Sequence, residues 1–195
     1  WDWGGVDITT ESQGEGRTVG TVQHRLIAAL QEDNCYEVIF DDDGAGEAAD
    51  VVAISCRDVQ GRNRIDVDLY HCKFSGAERA GARVDDLYVV CGQAQRSVRW
   101  LISHESRTAL FTHLLEREAI RTAKRRPTRF ERGDIRTLAK LRDRSRYEEV
   151  SIRVHVVQPG LSSAQASTAQ LELLGVTERY LSDTYGLVLN VVCSP

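Results

Sequence analysis

The run Asp41-Asp42-Asp43-Gly44-Ala45-Gly46-Glu47-Ala48-Ala49-Asp50 ends on a carboxylate that opens an apolar strand, and His71 follows Asp50 by 21 residues, leading into Cys72 and Lys73. Alternation along a strand sends residues n and n+2 to one face, so His71 and Lys73 are expected to point the same way. A hairpin between the two strands would bring Asp50 beside them. An acid, a second ligand and a lysine around one point can hold a divalent metal and activate water on a phosphodiester.

Each residue type has its own part in that chemistry. Glu47 and Asp50 are the leading metal ligands, because a carboxylate entering Val51-Val52-Ala53-Ile54 loses hydration unless a cation meets it. Lys73 lies near the end of the apolar-rich strand Leu69-Tyr70-His71-Cys72-Lys73-Phe74, where lysine is rarely buried without a partner. It would orient or deprotonate the attacking water and offset charge on the pentavalent phosphate. His71 reads as a further ligand, a general base or a hydrogen-bonded core histidine. Mg²⁺ prefers oxygen, so ligation by His71 would favour Mn²⁺ or another transition metal. Gln93 either hydrogen-bonds water or phosphate beside the apolar stripe of its helix or is a plain surface residue. Asp66 and Asp68 fall on the strand face opposite Lys73 and are expected to be solvated.

Gly44-Ala45-Gly46-Glu47-Ala48-Ala49 fits a relaxed dinucleotide fingerprint, but a strand rather than a helix follows it. Three aspartates at its mouth would repel a pyrophosphate. The glycines are expected instead to turn a tight hairpin between acid-bearing strands.

A second constellation is electrostatic. From Arg117 to Arg146 the chain carries 12 Lys/Arg against 4 Asp/Glu, although its overall formal charge is −4. An acidic protein with one concentrated basic stretch is a candidate for polyanion binding through that stretch, the other reading being a solvated helical face. Arg117, Arg121, Lys124, Arg125, Arg126 and Arg129 are the candidate nucleic-acid contacts. Phe130 is the one aromatic there, so backbone rather than base contact is expected.

The elements that must position these groups follow from periodicity. A helix is expected over 21–32, strands over 36–40, 48–56 and 64–74, and a turn at 58–63. Helices follow over 85–101 and 107–124, broken by Pro127, then a short basic helix over 133–146. A strand over 150–157, a helix over 162–185 capped by Ser162 or Ser163, and a strand over 187–193 complete the order. Hairpin strands followed by helix–strand crossovers imply a mixed sheet flanked by helices, an α/β fold. Residues 1–19 read as a linker or flexible segment, and 20–195 as one domain with a basic helical insertion at about 107–146.

Composition narrows the setting. No apolar run reaches membrane-spanning length and no signal peptide opens the chain. Cys35, Cys56, Cys72, Cys91 and Cys193 are odd in number and lack a CxxC pair, which argues against a disulfide framework or structural zinc. All but Cys35 read as small core residues, and the reducing cytosol is the expected compartment. A chain that begins at Trp1 and contains no Met reads as a piece of a longer protein.

The order helix, strand, Asp50 strand, His71-Cys72-Lys73 strand and Gln-bearing helix resembles the PD-(D/E)xK, or restriction-endonuclease-like, nuclease core. Asp42 to Asp50, Leu69 to Lys73, Gly81-Ala82-Arg83-Val84-Asp85-Asp86-Leu87 and Cys91-Gly92-Gln93-Ala94-Gln95 resemble the C-terminal region of bacterial DEAD/DEAH-type helicase proteins linked to phage defence. Val157-Gln158-Pro159-Gly160-Leu161-Ser162 and Gln170-Leu171-Glu172-Leu173-Leu174 extend that resemblance over roughly 20–194. It implies a deoxyribonuclease using Mg²⁺ or Mn²⁺, with Asp50 as the acid of the first motif, Lys73 as the lysine of the second and a 5′-phosphate product. It also implies a helicase domain in the same longer chain, and two-strand cutting would suggest a homo-oligomer. His71 stands where the family has Asp or Glu, with Glu47 as the compensating carboxylate. A catalytically inactive nucleic-acid-binding or partner-docking module is the alternative.

Overall fold

The computed structural model describes residues 1–195. In chain order the elements are α1 (Val22–Glu32), β1 (Tyr36–Asp41), β2 (Val51–Val59), β3 (Arg62–Cys72), α2 (Asp85–Arg96), a 3₁₀ turn (Ser97–Trp100), α3 (His104–Ala123), β4 (Phe130–Arg132), α4 (Ile135–Arg144), β5 (Glu149–Ser162), α5 (Thr168–Tyr185) and β6 (Leu189–Ser194). The strands form a six-stranded sheet in the order β4-β1-β2-β3-β5-β6. β1 is antiparallel to β2 and β4, whereas β5 is parallel to β6, so this is an α/β protein with a mixed sheet and five helices. No helix is long and apolar enough to cross a membrane.

The chain divides into two compact units. One comprises Trp1–Leu26, Tyr70–Val98 and Val154–Pro195, the other Ile27–Leu69 and Arg99–Arg153. The second unit has a continuous apolar core in which Val38, Phe40, Val52, Ile54, Ile65 and Leu69 of the strands meet Leu110, Phe111 and Leu114 of α3 and Leu138 and Leu141 of α4. Removal of this apolar surface from water drives its assembly. Side-chain caps set the helix starts: Ser103 accepts from the Ser106 N–H for α3, and Asp134 accepts from the Thr137 N–H for α4.

In the first unit, residues 1–19 form neither helix nor strand, as their composition suggests, yet they are tied down. Trp3, Ile8 and Gln13 are buried. The Gln13 N–H donates to Gln23 Oε1 at 2.9 Å, and the Trp1 ammonium donates to the Cys193 carbonyl at 2.8 Å. α5 begins at Thr168, later than its apolar periodicity suggests, because β5 runs on through Ser162. Ser167 and Gln170 form a reciprocal capping box, and Gly186 at φ 68° closes the helix in the left-handed region.

Two further departures from the expected pattern have local causes. β4, three residues paired with β1, is too short and charged to show a period; Phe130 stands edge-on to Phe40 at 5.1 Å. The basic segment therefore includes a strand. Asp66 and Asp68 are buried rather than solvated, because arginines reach them. Arg153 makes two 2.7 Å bonds to Asp68, which also accepts from the Tyr36 hydroxyl, while Arg57 and Arg64 pair with Asp66 at 3.0 and 2.8 Å. Asp68→Ala strips the Arg153 guanidinium and the Tyr36 hydroxyl of their acceptor, and should lower unfolding free energy by about 2 kcal/mol in urea titrations.

Candidate metal centre

The acidic run lies within the second unit, as the connection between β1 and β2. These strands pair with Asp41 opposite Val51, and the Asp42 N–H donates to the Asp50 carbonyl at 3.0 Å, closing a loop longer than a tight hairpin turn. Gly44 and Gly46 turn it at φ 118° and 84°, backbone conformations that side chains rarely adopt. Inside the loop, Glu47 Oε2 accepts from the Gly44 N–H at 2.8 Å, and the Glu47 N–H donates to the Gly44 carbonyl at 3.0 Å.

Three arginines hold this loop, Arg99 through the Glu47 carbonyl at 3.1 Å. Arg117 of α3 donates through Nε to the carboxylate of the fully buried Asp42, and through its Nη atoms to the carbonyls of Ala45 at 2.8 Å and Asp42 at 2.6 Å. Asp42 Oδ2 also accepts from the Ala48 N–H at 2.7 Å. Arg129 donates to the carbonyls of Asp41 and Asp43 at 2.8 and 3.1 Å. Burial pushes the Asp42 carboxyl up to about 7, with Arg117, the Ala48 N–H and Arg129 pulling the other way.

The loop so held brings carboxylate oxygens of Asp43, Glu47 and Asp50 within 4.8 Å of one another, with Asp50 buried. The donor set is all oxygen and strongly anionic, which suits a hard divalent cation such as Mg²⁺ or Mn²⁺. Glu47 and Asp50 are two of the three ligands expected from sequence; the third, His71, is not a member of this group. Asp43 is the residue that expectation missed; only its place in the three-aspartate run signalled it.

His71, Lys73 and Gln93 belong to the first unit. His71 Nε2 lies 2.6 Å from Ser97 Oγ, and its Nδ1 is buried without a hydrogen-bond partner. Burial, with Arg96 and then His155 adding repulsion, pushes its pKa down to about 3. The ring is therefore neutral: a weak proton acceptor, yet in the form that ligates metals. Lys73 Nζ pairs with Glu11 Oε2 at 2.7 Å and lies 4.3 Å from the Phe74 ring centre. Glu11, from the segment read as a linker, also accepts from the Phe74 N–H at 3.0 Å. Gln93 Oε1 is buried without a partner.

The other strings behind the resemblance gather in the same unit as a hydrogen-bond network. Gln158 donates to the Phe74 carbonyl and accepts from the Gly160 N–H, the Gly81 N–H donates to the Gly160 carbonyl, and Gln170 donates to the carbonyls of Gly81 and Arg83. These groups shape a cavity of about 40 Å³. In the second unit, Arg117, Arg121, Lys124, Arg126 and Arg129 line one cleft, whereas Arg125, exposed at φ 54°, does not.

Compared with protein-family models, curated proteins and solved structures, the chain matches none.

Because the unfolded chain protonates its histidines near 6.5 and native His71 resists protonation down to about 3, this residue's contribution to stability is present above 6.5 and is lost as pH falls through that window. The raised Asp42 pKa acts in the opposite sense between its ordinary value of 3.8 and about 7, so the test is a difference between proteins. The stability advantage of wild type over His71→Gln should shrink by about 1.5 kcal/mol between about pH 6.5 and 5, measured by urea unfolding at each pH.

Proposed function

We propose that this chain is a metal-dependent nuclease with a restriction-endonuclease-like core, hydrolysing DNA phosphodiester bonds. The observation that carries the reading is the convergence of Asp43, Glu47 and Asp50 on one point of a loop braced by Arg117 and Arg129. The order α1, β1, β2, β3, α2, with the first two strands antiparallel, supports the fold assignment. Residence in a larger bacterial anti-phage helicase protein rests on the sequence resemblance alone.

Asp43, Glu47 and Asp50 would hold the ion, which when bound would polarise the scissile phosphate and lower the pKa of a water. On the sequence reading alone, Lys73 would orient that water and balance charge on the phosphorane, and Gln93 would hydrogen-bond water or phosphate. The Lys73 ammonium would have to share or leave the Glu11 carboxylate to act. His71, whose burial keeps the ring neutral, is a weak base; a part as ligand rests on the sequence reading alone. Water attacks phosphorus, the P–O3′ bond breaks, the water's proton leaves to solvent or base and the 3′ oxygen takes up a proton. A 5′-phosphate and a 3′-hydroxyl result.

A second reading, a binding or docking module of the same fold without hydrolysis, is favoured by that Lys73–Glu11 pair and by a histidine at position 71. Cleavage of single- and double-stranded DNA in Mg²⁺, Mn²⁺ or EDTA separates the two. The nuclease reading expects metal-dependent cutting that drops at least about 100-fold in Asp50→Ala and Lys73→Ala, each checked for folding. Salt-sensitive DNA binding by a folded protein that fails to cut whichever metal is supplied would favour the module.

A further inference from the structure

The cleft lined by the basic segment has more structure than a solvated charged face. Arg117, Arg121 and Lys124 come from α3 and its cap, Arg126 and Arg129 from either side of Pro127, and Ile120 forms an apolar wall to a space of about 80 Å³. Cations near a helix C-terminus complement its dipole, which accounts for Arg121 and Lys124. It does not account for Arg129, which arrives from beyond the helix. Arg129 is half-buried, with one terminal nitrogen on the carbonyls of Asp41 and Asp43, while its Nε–H is shut off from solvent and has no acceptor.

Five cationic side chains line one small cleft, so positive charge is crowded around it. Guanidinium groups in a fork suit phosphate oxygens. A terminal phosphate monoester carries nearly twice the charge of a backbone diester, so it gains more from such a cluster.

We propose that this cleft is a binding site for one dianionic phosphate monoester group, taken either from the 5′ end of a nucleic-acid strand or as free phosphate. Lys124 and Arg126, exposed on its lining, would be its donors. The proposal rests on the reading of this segment as a nucleic-acid contact, but not on hydrolysis. Arg117 and Arg129 also brace the acidic loop, so they are poor probes; Lys124 and Arg126 are exposed and leave the loop intact.

The test is made on the whole chain in EDTA, at fixed ionic strength, where cleavage plays no part. Binding of a 5′-phosphorylated single strand is compared with that of its 5′-hydroxyl counterpart, and inorganic phosphate is titrated as competitor against a chloride control. The 5′-phosphorylated strand should bind at least about 10-fold more tightly, phosphate should compete where chloride does not, and Lys124→Ala/Arg126→Ala should abolish both effects while keeping the wild-type circular dichroism and unfolding midpoint. Competition by phosphate without preference for the 5′-phosphorylated strand supports the site with free phosphate as its ligand. Equal binding of both strands with no competition, or full preference retained in the folded double variant, overturns it. Absence of metal-dependent cleavage by wild type in a separate assay, with these effects intact, counts against the nuclease reading alone.

Discussion

A buried carboxylate bonded to a half-buried guanidinium underlies the candidate site. Asp42 is fully buried, and an isolated ionised carboxylate there would be costly; Arg117, reaching over from α3, meets it and uses its remaining N–H groups on the loop carbonyls. One side chain thus satisfies a buried charge and sets the path of the backbone. With Arg129 holding the carbonyls of Asp41 and Asp43, the loop between β1 and β2 can keep three further carboxylates close together. Removing either arginine would leave like charges opposed on an unbraced loop.

The basic segment consequently divides its labour. Arg117 and Arg129 hold the acidic loop. Arg132 ties the end of α1 and the start of β1 through carbonyls of Gln31, Asp33 and Tyr36, and Arg144 pairs with Glu148. Arg121, Lys124 and Arg126 line the cleft. Concentrated positive charge is therefore in part architecture, since arginine can deliver several hydrogen bonds to backbone carbonyls at once.

Much of this was legible in the sequence because the relevant signals are local. Helical spacing marked α1, α2 and α3, and apolar, β-rich runs bounded by turn residues marked β1 to β3; a carboxylate heading an apolar strand marked Asp50. What stayed hidden was set by distant partners. Nothing near Asp68 announces Arg153, 85 residues away, and nothing near Lys73 announces Glu11. Asp43 looked like one of three equivalent aspartates until Arg117 claimed Asp42 and the loop turned Asp43 toward Glu47 and Asp50. β4 escaped because three residues show no period, and Ser167 was passed over as a cap because the preceding strand outlasted its apolar pattern.

Calorimetric titration of the whole chain with Mn²⁺ decides whether the braced carboxylates bind a divalent cation. The account predicts saturable binding at one site, lost in Asp43→Asn/Asp50→Asn and displaced by Mg²⁺, with the variant's fold verified by circular dichroism. Absence of saturable binding in wild type, or binding unchanged in the folded double variant, would contradict it.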